Sequence, residues 1–220
     1  YMSSFVLYNY FRSSTSFRAR AALLMKNLSY EYKPINLLKS EQHSPEYRKL
    51  NPLGGIPTLV HNGKVIPDSM AIIEYIEEIA PTPALLPQDP YLRARVRQVC
   101  EIVNSSMHPY GNLKVLQHLG ETFNYNQEQK DQWVQKWVSQ GLDALEKTLP
   151  EFAGQYCFGD TVTLADIVLY PQVITCQRFH VDLSKYPTVM KIFNNLDKHP
   201  VFMKAHLSRQ IDTPKEFRKT

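Results

Sequence analysis

Four prolines within the ten residues Pro81–Pro90 (PTPALLPQDP) constrain this chain more than any other stretch. Proline fixes φ and lacks a backbone donor, so neither a helix interior nor a central strand passes through the segment. It reads as a linker, and the hydrophobic pattern differs on its two sides. On the N-terminal side the period changes repeatedly. Ser4 to Tyr10 (SFVLYNY) alternates as a strand does, Ser14 to Lys26 carries a helical pattern, and Tyr30 and Tyr32 lie two apart in YEYKPI, a second strand. A polar loop from Lys39 to Tyr47 follows. Asn62-Gly63 then sits between the apolar runs PTLV and VIPD, a hairpin signal because a type I′ turn needs positive φ at both central residues. Asp68-Ser69 opens a helix whose Ile72, Ile73, Ile76 and Ile79 share one face. The order βαβ then ββα implies a sheet with helices packed on it, the first two strands parallel through a crossover.

Beyond the linker no strand pattern survives. Leu92, Val96, Val99, Val103 and Met107 mark a long helix that Pro109 bends or ends, and Trp133, Trp137, Leu142, Leu145 and Leu149 mark another, both tryptophans reading as core. In VTLADI, Thr163 as N-cap and Asp166 at N3 make a capping box, with Val162 and Ile167 as its hydrophobic staple, so a buried helix starts there. Pro187, Val189, Ile192, Phe193 and Leu196 mark a further helix, and the tail RQIDTPKEFRKT is polar. The predicted domains are an α/β unit over 1–80, the linker 81–90 and an all-helical unit over 91–220.

The 25 Lys+Arg and 21 Asp+Glu leave a net charge of only +4, a weak case for a nucleic-acid partner. Arg18/Arg20 and Arg93/Arg95/Arg97 stand at helical spacing and read as solvated or interface faces. No apolar run approaches the roughly 18 residues of a membrane span, and the start YMSSFVLYNYFR lacks the layout of a secretion signal. No membrane partner is expected. Cys100, Cys157 and Cys176 are odd in number and contain no CxxC pair, which argues against a disulfide framework and points to the reducing cytoplasm. No HExxH, Walker loop or GxGxxG is present, so neither a metal nor a nucleotide is expected.

Chemistry-bearing residues collect at element boundaries. Ser13 and Ser14 lie where a strand ends and a helix begins, where unpaired N–H groups and the positive dipole end favour an anion. Such a site can favour the ionised form of a weakly acidic group bound there, a thiol with an ordinary pKa near ~8.5 included. Both serines could equally be simple helix caps. Asp68-Ser69 offers the same pair of readings at the next helix. Ile56-Pro57 stands before a strand, where proline is poorly placed unless its bond is unusual. His108 precedes Pro109 in the helical part. Arg178 beside Phe179 can fork onto a carboxylate, and Arg12 is a second candidate for that task.

Several stretches resemble, in order, the zeta class of glutathione transferases. FRSSTSFRARAAL (Phe11 to Leu23) is similar to the class signature SSCxWRVRIAL, NPLGGIPTL to NPxxxVPTL and DSMAIIEYIEE to QSxAIIEYLEE. PTPALLPQDP is close to the family linker, and HPYGNLKVL, GDTVTLADIVLYPQV, RFHVDL and RQIDTP resemble stretches of its helical domain. The resemblance runs from about Phe5 to Phe217. It implies the glutathione transferase fold, a thioredoxin-like α/β domain followed by an all-α domain, in a cytoplasmic homodimer. It implies glutathione as cofactor, held by Ser13, Ser14, Thr15, Ser16, Phe17, Arg18, Gln42, Ile56, Asp68 and Ser69, and from the helical domain by His108, Asn112, Leu113 and Lys114. The catalytic group would be Ser13, Ser14 and Thr15. A cis Pro57 would turn the Ile56 backbone toward the ligand, and Arg178 and Arg12 would take the carboxylates of a small dicarboxylate substrate. The implied reaction is the glutathione-dependent cis–trans isomerisation of maleylacetoacetate in phenylalanine and tyrosine catabolism. Thr15 stands where the signature has cysteine, as it can in related maleylpyruvate isomerases. That keeps maleylpyruvate isomerisation, general transferase activity and α-haloacid dehalogenation open. The retained hydroxyl cluster speaks against a non-catalytic binding module, and Thr15 against thiol–disulfide exchange.

Overall fold

Alternating burial makes Phe5–Asn9 a strand: Phe5, Leu7 and Asn9 face inward, while Val6 and Tyr8 are half-buried. This strand, β1, is followed by α1 (Ser14–Met25), β2 (Tyr30–Pro34), α2 (Pro45–Leu50), β3 (Thr58–His61), β4 (Lys64–Pro67) and α3 (Ser69–Ile79). The structure, a computed structural model, describes residues 5–218; Ser4 of the expected first strand lies outside them. β1 pairs parallel with β2 and antiparallel with β3, giving the sheet order β2-β1-β3-β4. Asn62 and Gly63 have φ of +49° and +77°, as the hairpin requires. Ile72, Ile73 and Ile76 are fully buried, but Ile79 is 43% exposed, so the apolar face of α3 ends one turn early.

Two expectations fail here for identifiable reasons. The polar stretch from Lys39 to Tyr47 is not all loop, because Ser44 caps α2 by accepting the Tyr47 N–H (3.2 Å) and Pro45 starts it. Arg18 and Arg20 are not on a solvated face but fully buried. Arg20 gives its donors to the carbonyls of Tyr10, Phe11 and Ala205 and to Asn9 Oδ1, at 3.0–3.2 Å. Lys26, also buried, holds Glu77 Oε2 and the Pro83 carbonyl, which fastens the start of the linker.

The helical part consists of α4 (Pro90–Ser106), α5 (Leu113–Phe123), α6 (Gln127–Thr148), α7 (Leu164–Arg178) and α8 (Pro187–Leu196). Asp89 caps α4 by accepting the Leu92 N–H at 2.8 Å, and Val96, Val99, Val103 and Met107 bury the predicted face. α4 packs on α6 and α7. Met107 Cγ would lie 2.2 Å from a Cβ on residue 141, so α6 needs Gly141 at that point. Trp133 and Trp137 are half-buried rather than core, and Trp137 stacks on Tyr110 with centroids 4.8 Å apart. α7 begins where the capping box places it, and all but four of its residues are buried. Among the described residues, no helix is long and apolar enough to cross a membrane.

After α8 the chain leaves this unit. Residues 199–218, including α9 (Pro200–Ala205), form one compact unit with residues 5–84, while residues 85–198 form the other. The tail differs in this from its expected place in a 91–220 domain. Phe202 of α9 packs on Phe17 (centroids 5.8 Å), and Ala205 supplies the carbonyl that Arg20 requires.

His61 on β3 stacks on Phe5 (4.0 Å) and has Nδ1 2.7 Å from the Tyr75 hydroxyl. Burial, with Lys64 adding to it, holds its pKa below the ordinary value. The folded state therefore binds that proton less readily than the unfolded chain. The associated stability is present above about pH 6.5 and is lost as pH falls through the lowered folded value. Thermal melts should show a fall in Tm on acidification from pH 7.5 to about 5.5, part of it absent in His61→Gln.

Candidate active site

The start of α1 is built from three hydroxyl groups and a carbonyl. Ser13 is the N-cap, extended at φ −73° and ψ 123°, and its Oγ accepts the Ser16 N–H at 3.1 Å. Thr15 donates its hydroxyl to the Ile56 carbonyl (3.0 Å) and lies 2.9 Å from Ser13 Oγ. With the Thr15 proton committed to Ile56, Ser13 is the donor within that pair. Ser14 is the first residue of α1 and half-buried, and no acidic side chain occupies the first turn. The helix start is thus open to an anion and tied to the loop before β3, where the Ile56–Pro57 bond is cis.

That loop is held from behind. Tyr47 donates its hydroxyl to the Gly55 carbonyl at 2.6 Å and lies 2.8 Å from Thr58 Oγ1, and Asn51 Nδ2 donates to the same carbonyl at 2.9 Å. Burial pushes the Tyr47 hydroxyl up to about 12, so it keeps its proton. Gln42 is buried, and its Oε1 has no hydrogen-bond partner among the described residues. Asp68 has φ +69° and ψ 130°, a backbone region that non-glycine residues rarely use and that marks functional turns. Its N–H donates to the Pro57 carbonyl (3.2 Å), while its exposed side chain does not cap α3. Ser69 is buried and accepts from Arg18 Nη1 at 3.3 Å.

The fold therefore brings together Ser13, Thr15 and Ile56, and joins Asp68 to the same loop, with Arg18 beneath Ser69. Ser16 and Phe17 are turned away from this surface. Ser16 Oγ accepts the Tyr10 N–H (3.3 Å), and Phe17 lies in the core against Phe202. Arg12 is half-buried in the turn between β1 and α1. Asn51 and Tyr47 were not recognised as parts of the site, and the NPLGG stretch after a Ser-Pro helix start is the signal that could have found them.

In the helical unit, His108 opens a half-buried single-turn segment, His108–Gly111. Asn112 caps α5 by accepting the Lys114 N–H at 3.2 Å, with Leu113 and Lys114 in its first turn. A Cβ on Gly111 would lie 3.6 Å from the Phe179 ring, so this turn adjoins the end of α7. There Arg178, exposed, lays its guanidinium over the Phe179 ring at 4.7 Å. Gln135 fixes the segment beyond it by donating to the Phe179 carbonyl at 2.8 Å.

Residues 3–78 match the family described as glutathione S-transferase, N-terminal domain, and residues 114–209 match glutathione S-transferase, C-terminal domain. The maleylacetoacetate isomerase of Mus musculus is 47% identical over 215 residues, covering 97% of each chain. A solved holo structure of maleylpyruvate isomerase, described as a bacterial glutathione S-transferase in the zeta class, superposes with a TM-score of 0.93. It is 40% identical and covers 95% of this chain and all of its own. The chain belongs to the zeta class of the glutathione S-transferase family. A maleylacetoacetate isomerase from Anaeromyxobacter dehalogenans 2CP-1, solved with dicarboxyethyl glutathione and citrate in its active site, gives a TM-score of 0.87. Its identity to this zeta-class chain is 37%, with 96% of this chain and 98% of the other covered.

Proposed function

We propose that this chain is a glutathione-dependent cis–trans isomerase that converts maleylacetoacetate to fumarylacetoacetate. The observation that carries the reading is the hydroxyl-lined start of α1, tied through Thr15 to the Ile56 carbonyl in the loop before β3. The residues of this unit suit glutathione. The buried Gln42 Oε1 wants a donor such as a peptide or ammonium N–H, and the α3 start, uncapped by Asp68, suits a carboxylate. Ser13, Ser14, Thr15, Gln42, Ile56, Asp68 and Ser69 would hold it. When bound, glutathione supplies a thiolate nucleophile that adds reversibly to the cis double bond, so that the carbon–carbon bond can rotate.

The chain's own groups then have three tasks. Ser13, whose hydroxyl turns its proton from Thr15 to the sulfur when glutathione binds, and the α1 dipole lower the thiol pKa by favouring its charged form. Arg178 would fork onto a carboxylate of the substrate, which helps convert a bimolecular encounter into a positioned one. Backbone and hydroxyl donors at α1 stabilise negative charge as it develops. The same reading makes the protein a cytoplasmic homodimer, the compartment in keeping with three buried cysteines, none in a disulfide. Thr15 favours maleylpyruvate as the second substrate to assay.

Glutathione at a small fraction of substrate should support complete isomerisation and return unaltered by mass spectrometry; stoichiometric loss of free thiol would place the protein among conjugating transferases. Arg178→Lys keeps the charge but loses the fork, and should raise KM for the dicarboxylate roughly tenfold, about the worth of one charge-assisted hydrogen bond. KM for glutathione should barely move. Equal losses on a charged substrate and a neutral chloroaromatic would make Arg178 a structural residue.

A further inference from the structure

Asp212, in the polar tail, reaches the turn from which α1 starts. It is half-buried; Oδ2 accepts the Phe11 N–H at 3.0 Å and Oδ1 accepts the Tyr32 hydroxyl at 2.5 Å. Tyr32 lies on β2, beside β1, and burial holds its hydroxyl protonated. Neighbouring backbone groups of the turn are also taken. The Tyr10 N–H goes to Ser16 Oγ, the Tyr10 carbonyl accepts from Arg20 and from the Ser13 N–H, and the Phe11 carbonyl accepts from Arg20. The Phe11 N–H is satisfied by the tail, and Phe11 is only 2% exposed, so losing Asp212 leaves this backbone donor to find a new partner. Ser13 follows two residues later.

We propose that Asp212 is a positioning residue of the thiol site, the returning tail holding the Phe11 N–H so that Ser13 keeps its place at the head of α1. Nothing in the motif around Ser13 contains this residue, which lies 201 positions from Phe11. The proposal rests on the reading of Ser13 as the thiol-stabilising group. It differs from a merely structural latch in one respect: loss of the Phe11 bond should act on the thiol, whereas loss of the Tyr32 bond should act mainly on stability.

The full chain carrying Asp212→Ala, Asp212→Asn, Asp212→Glu or Tyr32→Phe is titrated with glutathione, following the ultraviolet thiolate band against pH, alongside kcat, KM and Tm. Asp212→Ala should move the thiolate midpoint upward and lower kcat roughly ten- to a hundredfold, the usual effect of a displaced catalytic group, with a much smaller change in KM for glutathione. Asp212→Asn keeps an acceptor for Phe11 and should restore most of the turnover. Tyr32→Phe should lower Tm without a comparable loss of kcat. An unmoved midpoint in Asp212→Ala, or a fall of kcat in strict proportion to Tm across all variants, overturns the proposal. If Asp212→Ala does not fold, Asp212→Glu decides, because it keeps the charge and shifts the carboxylate by one methylene; an unmoved midpoint there is equally fatal. Absence of the band in the unaltered protein would instead overturn the glutathione reading, and the role of Asp212 with it.

Discussion

Ser13→Ala lowers kcat by roughly two to three orders of magnitude, the usual consequence of removing one well-placed donor to a developing charge. Ser13 has a second task that complicates a simple reading of such a loss. Its Oγ caps α1 by accepting the Ser16 N–H, and losing a serine cap costs about 1 kcal/mol of stability. Ser13→Gly separates the two, because glycine at an N-cap costs only a few tenths of a kcal/mol while the hydroxyl is still gone. Both variants should lose the thiolate band and the turnover alike, and only the alanine variant should show the larger fall in Tm. Ser14→Ala should lose much less, since its neighbour is the residue that caps the helix and exchanges a bond with Thr15. Unchanged turnover in both serine variants would remove α1 as the thiol site.

What could be read from the sequence was what neighbouring residues decide among themselves. Asn62-Gly63 specified its hairpin because both φ values lie within two residues, and the βαβ order specified a parallel β1–β2 pair. Ser13 and Ser14 were legible as a helix start for the same reason. Short helices were not: α2 and α9 span six residues each, too few for a hydrophobic period to emerge. α5, with eleven residues, is missing from the expected helices although Leu113, Leu116, Leu119 and Phe123 stand at helical spacing.

The buried arginines show a different limit. At i and i+2 on a helix, Arg18 and Arg20 project from nearly opposite sides, so the solvated face expected of them could not hold both. What buries Arg20 is a set of carbonyls turned inward by the β1–α1 turn and by the end of α9, 185 positions away, and Arg18 is met by Ser69, 51 positions away. No local pattern contains that information. The same holds for the site, where Ser13 and Ile56 could be named separately but the Thr15 bridge across 41 positions could not. The tail is the extreme case, since its polarity reads as solvated chain while Asp212 and the buried Thr213 belong to the unit that carries Ser13.

Asp166→Ala produces the largest loss of stability expected in the helical unit. The carboxylate is fully buried and accepts three donors: the Thr163 N–H at 2.7 Å, the Thr163 hydroxyl at 2.9 Å and the Cys157 N–H at 2.8 Å. Burial pushes its pKa above the ordinary value even against these bonds, so the charge itself is costly where it sits. Removing it nevertheless destabilises, because two backbone N–H groups lose their acceptor in a fully buried site, at about 1–3 kcal/mol each. Tm should fall by roughly ten degrees, from about 2–4 °C per kcal/mol at this chain length. Asp166→Asn gives little relief, since its amide offers one acceptor where Thr163 and Cys157 need two and turns a donor toward the other N–H. The Thr163→Val variant isolates the hydroxyl bond and should cost only about 1 kcal/mol. The losses should therefore rank alanine and asparagine together and valine far below. A mild Asp166→Asn variant would mean that one of the two N–H groups finds another acceptor, and that α7 does not depend on its capping box.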